Sequence, residues 1–268
     1  ILSTIGIETN KFNKLITEKT SQVKNINLKL ETIKFRINPK DLSLFLEMQN
    51  PKIIYRNLLV PANSIKVYVD FLSLVKSDPI IKKISLLSEE LDIIQISKLS
   101  SIIKPSNFKT LLNNKIKEGK LISEIEIFLN EDGSIKDFIA KGKVKNLKVE
   151  LLNKLNLKKT NLSFFADKND ILIKNIFGFL EEINISDGDI KLNLENGIKL
   201  NSNFNSKINL SEKDTKKYIK FFKKYDAVKG LKTLKANLNN NFSIEFDDTY
   251  KVKDYNYSIN GKLEKSKF

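Results

Sequence analysis

From Ile190 to Leu210 the chain reads IKLNLENGIKLNSNFNSKINL. Every odd position is Lys, Asn, Glu or Gly, while eight of the eleven even positions are apolar: Ile190, Leu192, Leu194, Ile198, Leu200, Phe204, Ile208 and Leu210. A β-strand sends successive side chains to opposite faces, so a period of two over this length requires extended chain with one apolar and one polar face. An antiparallel sheet tolerates one wet face, but its apolar face has to be covered. A second sheet would make a sandwich, a layer of helices an α+β domain, and a greasy ligand a lipid carrier. What lies against the apolar face therefore decides what the protein does.

The same pattern recurs along the chain. Leu121, Ile125, Ile127 and Leu129 alternate, NEDGS (130–134) is a hairpin signal, and Phe138, Ala140 and Val144 return on one face. Parity reverses at Lys145-Asn146, which marks a β-bulge, and Leu147, Val149 and Leu151 continue. Leu162, Phe164 and Ala166 lead into a turn at 167–170, and Ile171 and Ile173 leave it. Ile183 and Ile185 lead into Ser186-Asp187-Gly188-Asp189, which reads as another hairpin turn. Leu234, Ala236, Leu238, Phe242, Ile244 and Phe246 resume the alternation, which then moves to Tyr255, Tyr257 and Ile259.

Helical signals are few. Phe12, Leu15, Ile16 and Lys19 have helical spacing. Leu99, Ile102 and Ile103, then Phe108, Leu111, Leu112 and Ile116, suit two short helices that make a connector. Ser211 with Asp214 resembles a capping box, and Tyr218, Ile219, Phe221, Phe222 and Tyr225 share one face opposite lysines. That face suits a lid packed on a sheet, or a membrane or nucleic-acid contact. The chain thus divides into 1–96, a helix with short strands; 97–118, the connector; and 119–268, long hairpins with a helix near 211–225.

Many strands read as 8–11 residues, longer than the roughly 5–6 typical of globular strands. The helices are too few and short to cover such a sheet. The expected fold is mainly β (α+β): a long antiparallel, curled sheet forming an apolar groove, with a few short amphipathic helices. Its candidate lipid-binding residues are Phe138, Val144, Phe164, Ile173, Ile190, Leu192, Leu194, Ile198, Leu200, Phe204, Leu234, Leu238, Phe242, Ile244 and Phe246. The expected partner is the acyl chains of phospholipid.

Composition removes other functions. The 268 residues include no His and no Cys, so histidine-assisted and thiol nucleophiles are excluded, as are zinc sites built on imidazole or thiolate. No glycine spacing matches a nucleotide-binding loop. No enzyme, cofactor or metal is expected. The acidic turns NEDGS and SDGD contain calcium-type oxygen donors but do not match the twelve-residue calcium loop; Asp and Gly there also serve tight turns. The net charge of +15 suggests an anionic partner. However, only Arg36 and Arg56 of the 47 basic residues are arginine, and base readout leans on arginine forks. The lysines are spread along the chain on the polar faces of the strands, so no nucleic-acid partner is expected. No run approaches the roughly 18 apolar residues of a membrane span. The opening ILSTIGIE without Met reads as the start of a piece of a longer protein.

LSTIGIETNKFNKLI, followed by NLKLETIKFRINPKDLSLFLEMQNPKIIYRNLLVPANSIKVYVDFLSLVKSDPIIKKISLLSEELDI, resembles the N-terminal part of the bacterial AsmA-like family, the TamB and YhdP group. The shared features are an amphipathic helix, short strands, and the strand-end segment DFLSLVKSDPIIKKISL. The resemblance covers residues 2–95, and the rest only as repeated alternating hairpins. It implies a periplasmic body anchored in the inner membrane by a helix preceding Ile1. It also implies a β-groove that conducts phospholipid toward the outer membrane, with no catalytic residues. The alternative is a structural factor with a filled core that helps assemble outer-membrane proteins.

Overall fold

The structure, a computed structural model, describes residues 6–9, 26–29, 33–38, 43–55, 58–70, 73, 80–95, 114–151, 155–195, 197–219, 230–247 and 251–267. The alternating stretches among them form strands: β1 (Ile7–Thr9), β2 (Ile26–Lys29), β3 (Ile33–Asn38), β4 (Ser43–Gln49), β5 (Lys52–Tyr55), β6 (Leu58–Val60), β7 (Ala62–Val69), β8 (Ile81–Ser88), β9 (Leu91–Asp92), β10 (Ile116–Leu129) and β11 (Ile135–Glu150). They continue as β12 (Asn156–Ala166), β13 (Asp170–Leu180), β14 (Ile183–Asn193), β15 (Ile198–Leu210), β16 (Thr233–Phe246) and β17 (Val252–Lys267). Helix α1 (Glu212–Ile219) lies between β15 and β16.

The fold is mainly β, as expected: strand makes up 78% of the described residues, and one large antiparallel sheet of 14 strands stays open rather than closing into a barrel. Its order is β1-β3-β4-β7-β8-β10-β11-β12-β13-β14-β15-β16-β17, with β9 beside β10. A second sheet has the order β2-β5-β6. The expected helix around residues 12–19 and most of the 97–118 connector lie outside the described residues. Ile116, expected to end a helix, opens β10.

Two compact units comprise residues 1–91, 95–105 and 121–142, and residues 92–94, 106–120 and 143–268. Residues 121–142 thus group with the N-terminal unit rather than with the rest of 119–268. In the first unit, Leu46, Met48, Ile65, Val67 and Val69 alternate onto one face and pack with Ile33. Phe35, Ile81, Ile84 and Leu86 pack against this cluster, as does Ile53 from the small sheet. With Ile33 0% and Met48 2% exposed, this core is filled. The opposite face of β4 buries Glu47, whose carboxylate lies 2.9 Å from Arg36 Nε and 3.8 Å from Lys66 Nζ. The turn after β10 forms as its sequence requires. Gly133 has φ +81°, Asn130 N–H donates to Ser134 O at 2.9 Å, and Asp132 Oδ1 accepts from Ser134 N at 2.9 Å.

In the second unit β12 to β17 form an antiparallel meander. Its first strands share an irregularity. Asn146 in β11, Lys159 in β12, Asn175 in β13 and Asp187 in β14 all have positive φ, between 49° and 55°. Register shifts accompany the last three, at Lys158/Asn161, Ile173/Ile176 and Ser186/Asp189. Bulges bend and twist the strands that carry them, and here they recur on four consecutive strands. The bulge read at Lys145-Asn146 is one of them. SDGD was misread as a hairpin turn: it lies inside continuous β14, and the reversal falls at Glu181-Glu182. Asp and Gly suit positive-φ backbone whether it occurs in a turn or a bulge.

Candidate functional site

The register puts the even residues of β15 and β16 on one face. Leu192, Leu200, Ile244 and Tyr255 stand side by side across β14 to β17. Ala166 and Ile171 pair on β12 and β13, and Ile171 pairs in turn with Leu192. The next row is Phe164, Ile173, Ile190, Ser202, Phe242 and Tyr257. Phe204 and Phe242 stack 5.8 Å apart at 4°, and Phe242 and Tyr257 6.3 Å apart at 24°, a geometry aromatic rings favour. Ile198 and Phe246 pair at one end of β15, and Leu210 and Leu234 at the other. Lys191, Lys199 and Lys235 share registers with Asn201, Glu245 and Asn209 on the opposite face.

Of the fifteen expected residues, twelve lie on this face and are half-buried: Phe164, Ile173, Ile190, Leu192, Ile198, Leu200, Phe204, Leu234, Leu238, Phe242, Ile244 and Phe246. The other three are placed differently. Val144 is buried, two residues before the positive-φ Asn146. Leu194 is exposed beyond the end of β14, where its N–H donates to Asn169 O at 2.8 Å. Phe138 belongs to the first unit and is exposed there. The expected lipid-binding residues do not include Tyr255, Tyr257 and Ile259, whose alternation the sequence shows, or Leu263; all four extend the face across β17. Their own alternation is the signal that reveals them.

The face is less uniformly apolar than its alternation suggests. Thr160, Gly178, Ser206 and Asn240 are small or polar and buried, with the buried Ile185 between Gly178 and Ser206. Asn240 Nδ2 donates to Phe204 O at 3.2 Å and Ser206 Oγ at 3.0 Å. A side chain at 178 would come within 3.0 Å of Thr160 Cα, and one at 188 within 2.8 Å of Ile176 Cβ. Gly178 and Gly188 thus stand where the neighbouring strand leaves no room for a side chain.

Helix α1 covers one end. Asp214 N–H donates to Ser211 Oγ at 3.4 Å and Ser211 N–H to Asp214 Oδ2 at 3.3 Å, the reciprocal bonds of a capping box. Tyr218 is buried, as a lid residue should be. Its hydroxyl donates to Leu180 O at 3.4 Å and accepts from Glu182 N–H at 3.3 Å. Burial pushes that phenol up from its ordinary value.

The same turn is held by Glu181, which accepts from Asn156 N at 2.7 Å, Asn156 Nδ2 at 2.9 Å and Lys158 Nζ at 2.7 Å. Burial pushes the Glu181 carboxyl up, but Lys158 and Asn156 together outweigh it and hold the group below its usual range. A depressed carboxylate contributes stability that is present above its unfolded value, about 4.3, and is lost as pH falls through the folded value. The melting temperature should therefore drop on acidification below about pH 4. Glu181→Gln should blunt that drop and cost about 1 kcal/mol at neutral pH. Thermal scans across pH check this, and an unaltered acid profile in the variant would refute the role given to Glu181.

Among the described residues no group of carboxylates is placed to hold a metal ion, and no helix is long and apolar enough to cross a membrane. No family model, curated protein or solved structure matches the chain.

Proposed function

We propose that the second unit binds phospholipid through its apolar face and conducts or carries it in the bacterial periplasm, toward the outer membrane. One observation carries this reading. The twelve residues of the face remain half-buried, whereas the core of the first unit is closed around Ile33 and Met48. Apolar area left in water costs about 25 cal/mol per Å², so a half-buried face of Leu, Ile and Phe favours a ligand that covers it. Acyl chains suit a long, non-directional surface with stacked rings and no buried charge. The AsmA-like resemblance over residues 2–95 agrees with this reading and suggests the periplasmic, inner-membrane-anchored location.

A filled-core assembly factor is the second reading, favoured by the packing of the first unit. A nucleic-acid binder has less support, since Arg36 is paired with buried Glu47. Native mass spectrometry of the purified chain separates the first two. Phospholipid bound above the 30.8 kDa protein mass is expected, and its extraction should leave a folded chain that takes up fluorescent phospholipid. Protein mass alone, with no uptake by a folded chain, would favour the assembly factor.

A further inference from the structure

The second unit has a concavity on the face opposite the apolar one. It lies on β13 to β16, each of which is paired with a strand on both sides. The register builds it from two rows. Leu172, Lys191 and Asn201 stand side by side on β13, β14 and β15, and Asp189, Asn203 and Asn241 on β14, β15 and β16. Lys174 joins them from β13, and the concavity holds about 360 Å³, within the roughly 300–1,000 Å³ of small-molecule sites.

Its polar groups are less occupied than their neighbours. Asn205 donates to Asp187 Oδ2 at 3.2 Å and accepts from Asn239 Nδ2 at 3.1 Å, and Asn237 donates to Glu264 Oε1. Among the described residues, by contrast, the Asn201 and Asn203 amides make no hydrogen bond to the protein and Lys174 no ion pair. Lys191 lies 3.5 Å from Asp170, and Asp189 accepts from Asn175 N–H at 3.3 Å. An amide both donates and accepts, a carboxylate accepts, and an ammonium group donates. That mixture matches hydroxyl groups, which also do both, and the two lysines add a preference for a carboxylate.

The same wet face carries bare rings. Phe165 stands opposite Leu172 of the concavity, Phe177 opposite Asn161, and Phe179 opposite Lys158. They are 41%, 45% and 39% exposed. Such rings offer flat apolar area, which the C–H face of a sugar ring covers while its hydroxyls stay free for amides. We propose that this face binds an acidic oligosaccharide, its carboxylate held by Lys174 and Lys191, its hydroxyls by Asn201, Asn203 and Asp189, and an adjoining ring stacked on Phe165. A bare phosphate fits less well, because Asp189 repels it and it gives the amide oxygens no donor. A phospholipid whose chains lie on the apolar face cannot bring its headgroup to the opposite one. The site therefore does not rest on the lipid reading, and its test measures no lipid.

The test is isothermal titration of the 268-residue chain with trigalacturonate, a trisaccharide of uronic acids. Maltotriose supplies the hydroxyls without the charge, and a triglutamate peptide the charge without the hydroxyls. Trigalacturonate should bind with a Kd lower by about tenfold or more than either. Lys174→Gln should weaken it about tenfold, and Asn203→Ala and Phe165→Ala about threefold or more each. Lys207→Gln removes the same charge from the same face outside the concavity and should change the Kd by less than about twofold. All four positions are exposed, and circular dichroism confirms that each variant is folded. A parent that does not bind trigalacturonate overturns the proposal. So does equal binding of triglutamate or maltotriose, or any of the three site variants binding as tightly as Lys207→Gln.

Discussion

Leu200→Asp and Ile244→Asp should each abolish uptake of fluorescent phospholipid while lowering the melting temperature only modestly. The two residues are directly opposite each other on β15 and β16, and both are half-buried. A carboxylate there loses about 1–2 kcal/mol of apolar burial but keeps access to water along the open face. At about 2–4 °C per kcal/mol for a protein of this size, the melting shift should stay below roughly 8 °C. Val67→Asp is the contrast. Val67 sits between Leu46 and Ile84 in the filled core of the first unit. An unpaired carboxylate there costs several kcal/mol, against a total stability of roughly 5–15 kcal/mol, and should leave little folded protein. Melting curves and lipid uptake on the same samples separate the effects. If all three variants melt alike and the parent never takes up lipid, the face is closed and the conduit reading fails.

Much of this face was legible in the sequence, because a period of two specifies which residues share a side whatever covers them. Leu192, Leu200 and Ile244 fell where their parity put them. What parity could not give was where a strand reverses and where it only bulges. Ser186-Asp187-Gly188-Asp189 has the composition of a hairpin turn, but the true reversal at Glu181-Glu182 carries no Gly, Pro or Asn. Positive φ is tolerated by Asp and Asn in turns and bulges alike, so local chemistry cannot separate the two. Thr160, Ser206 and Asn240 carry no apolar signal, yet all three are buried, and Asn240 bonds to Phe204 O and Ser206 Oγ across β15 and β16.

The close approach at Gly178 carries the second large effect. Gly178→Val should destabilise the chain by about 3 kcal/mol or more, the upper range for overpacking a closed site. The new side chain meets Thr160 Cα and Cβ at 3.0 Å, and Thr160, 0% exposed, cannot swing aside into solvent. Relief would require β12 and β13 to separate beside their register shifts. Gly133→Ala is the control. It carries φ +81° at a hairpin tip with nothing within 4 Å, so its cost is backbone strain alone, about 1 kcal/mol. At about 2–4 °C per kcal/mol, Gly178→Val should melt at least roughly 6 °C below the parent, and Gly133→Ala about 2–4 °C below it. If the lipid-binding face needs β12 and β13 held together, Gly178→Val should also lose lipid uptake at temperatures where it is still folded. Equal melting shifts in the two variants would mean that Gly178 is not held at a close approach. Full uptake by a strongly destabilised Gly178→Val chain would separate this close approach from the binding.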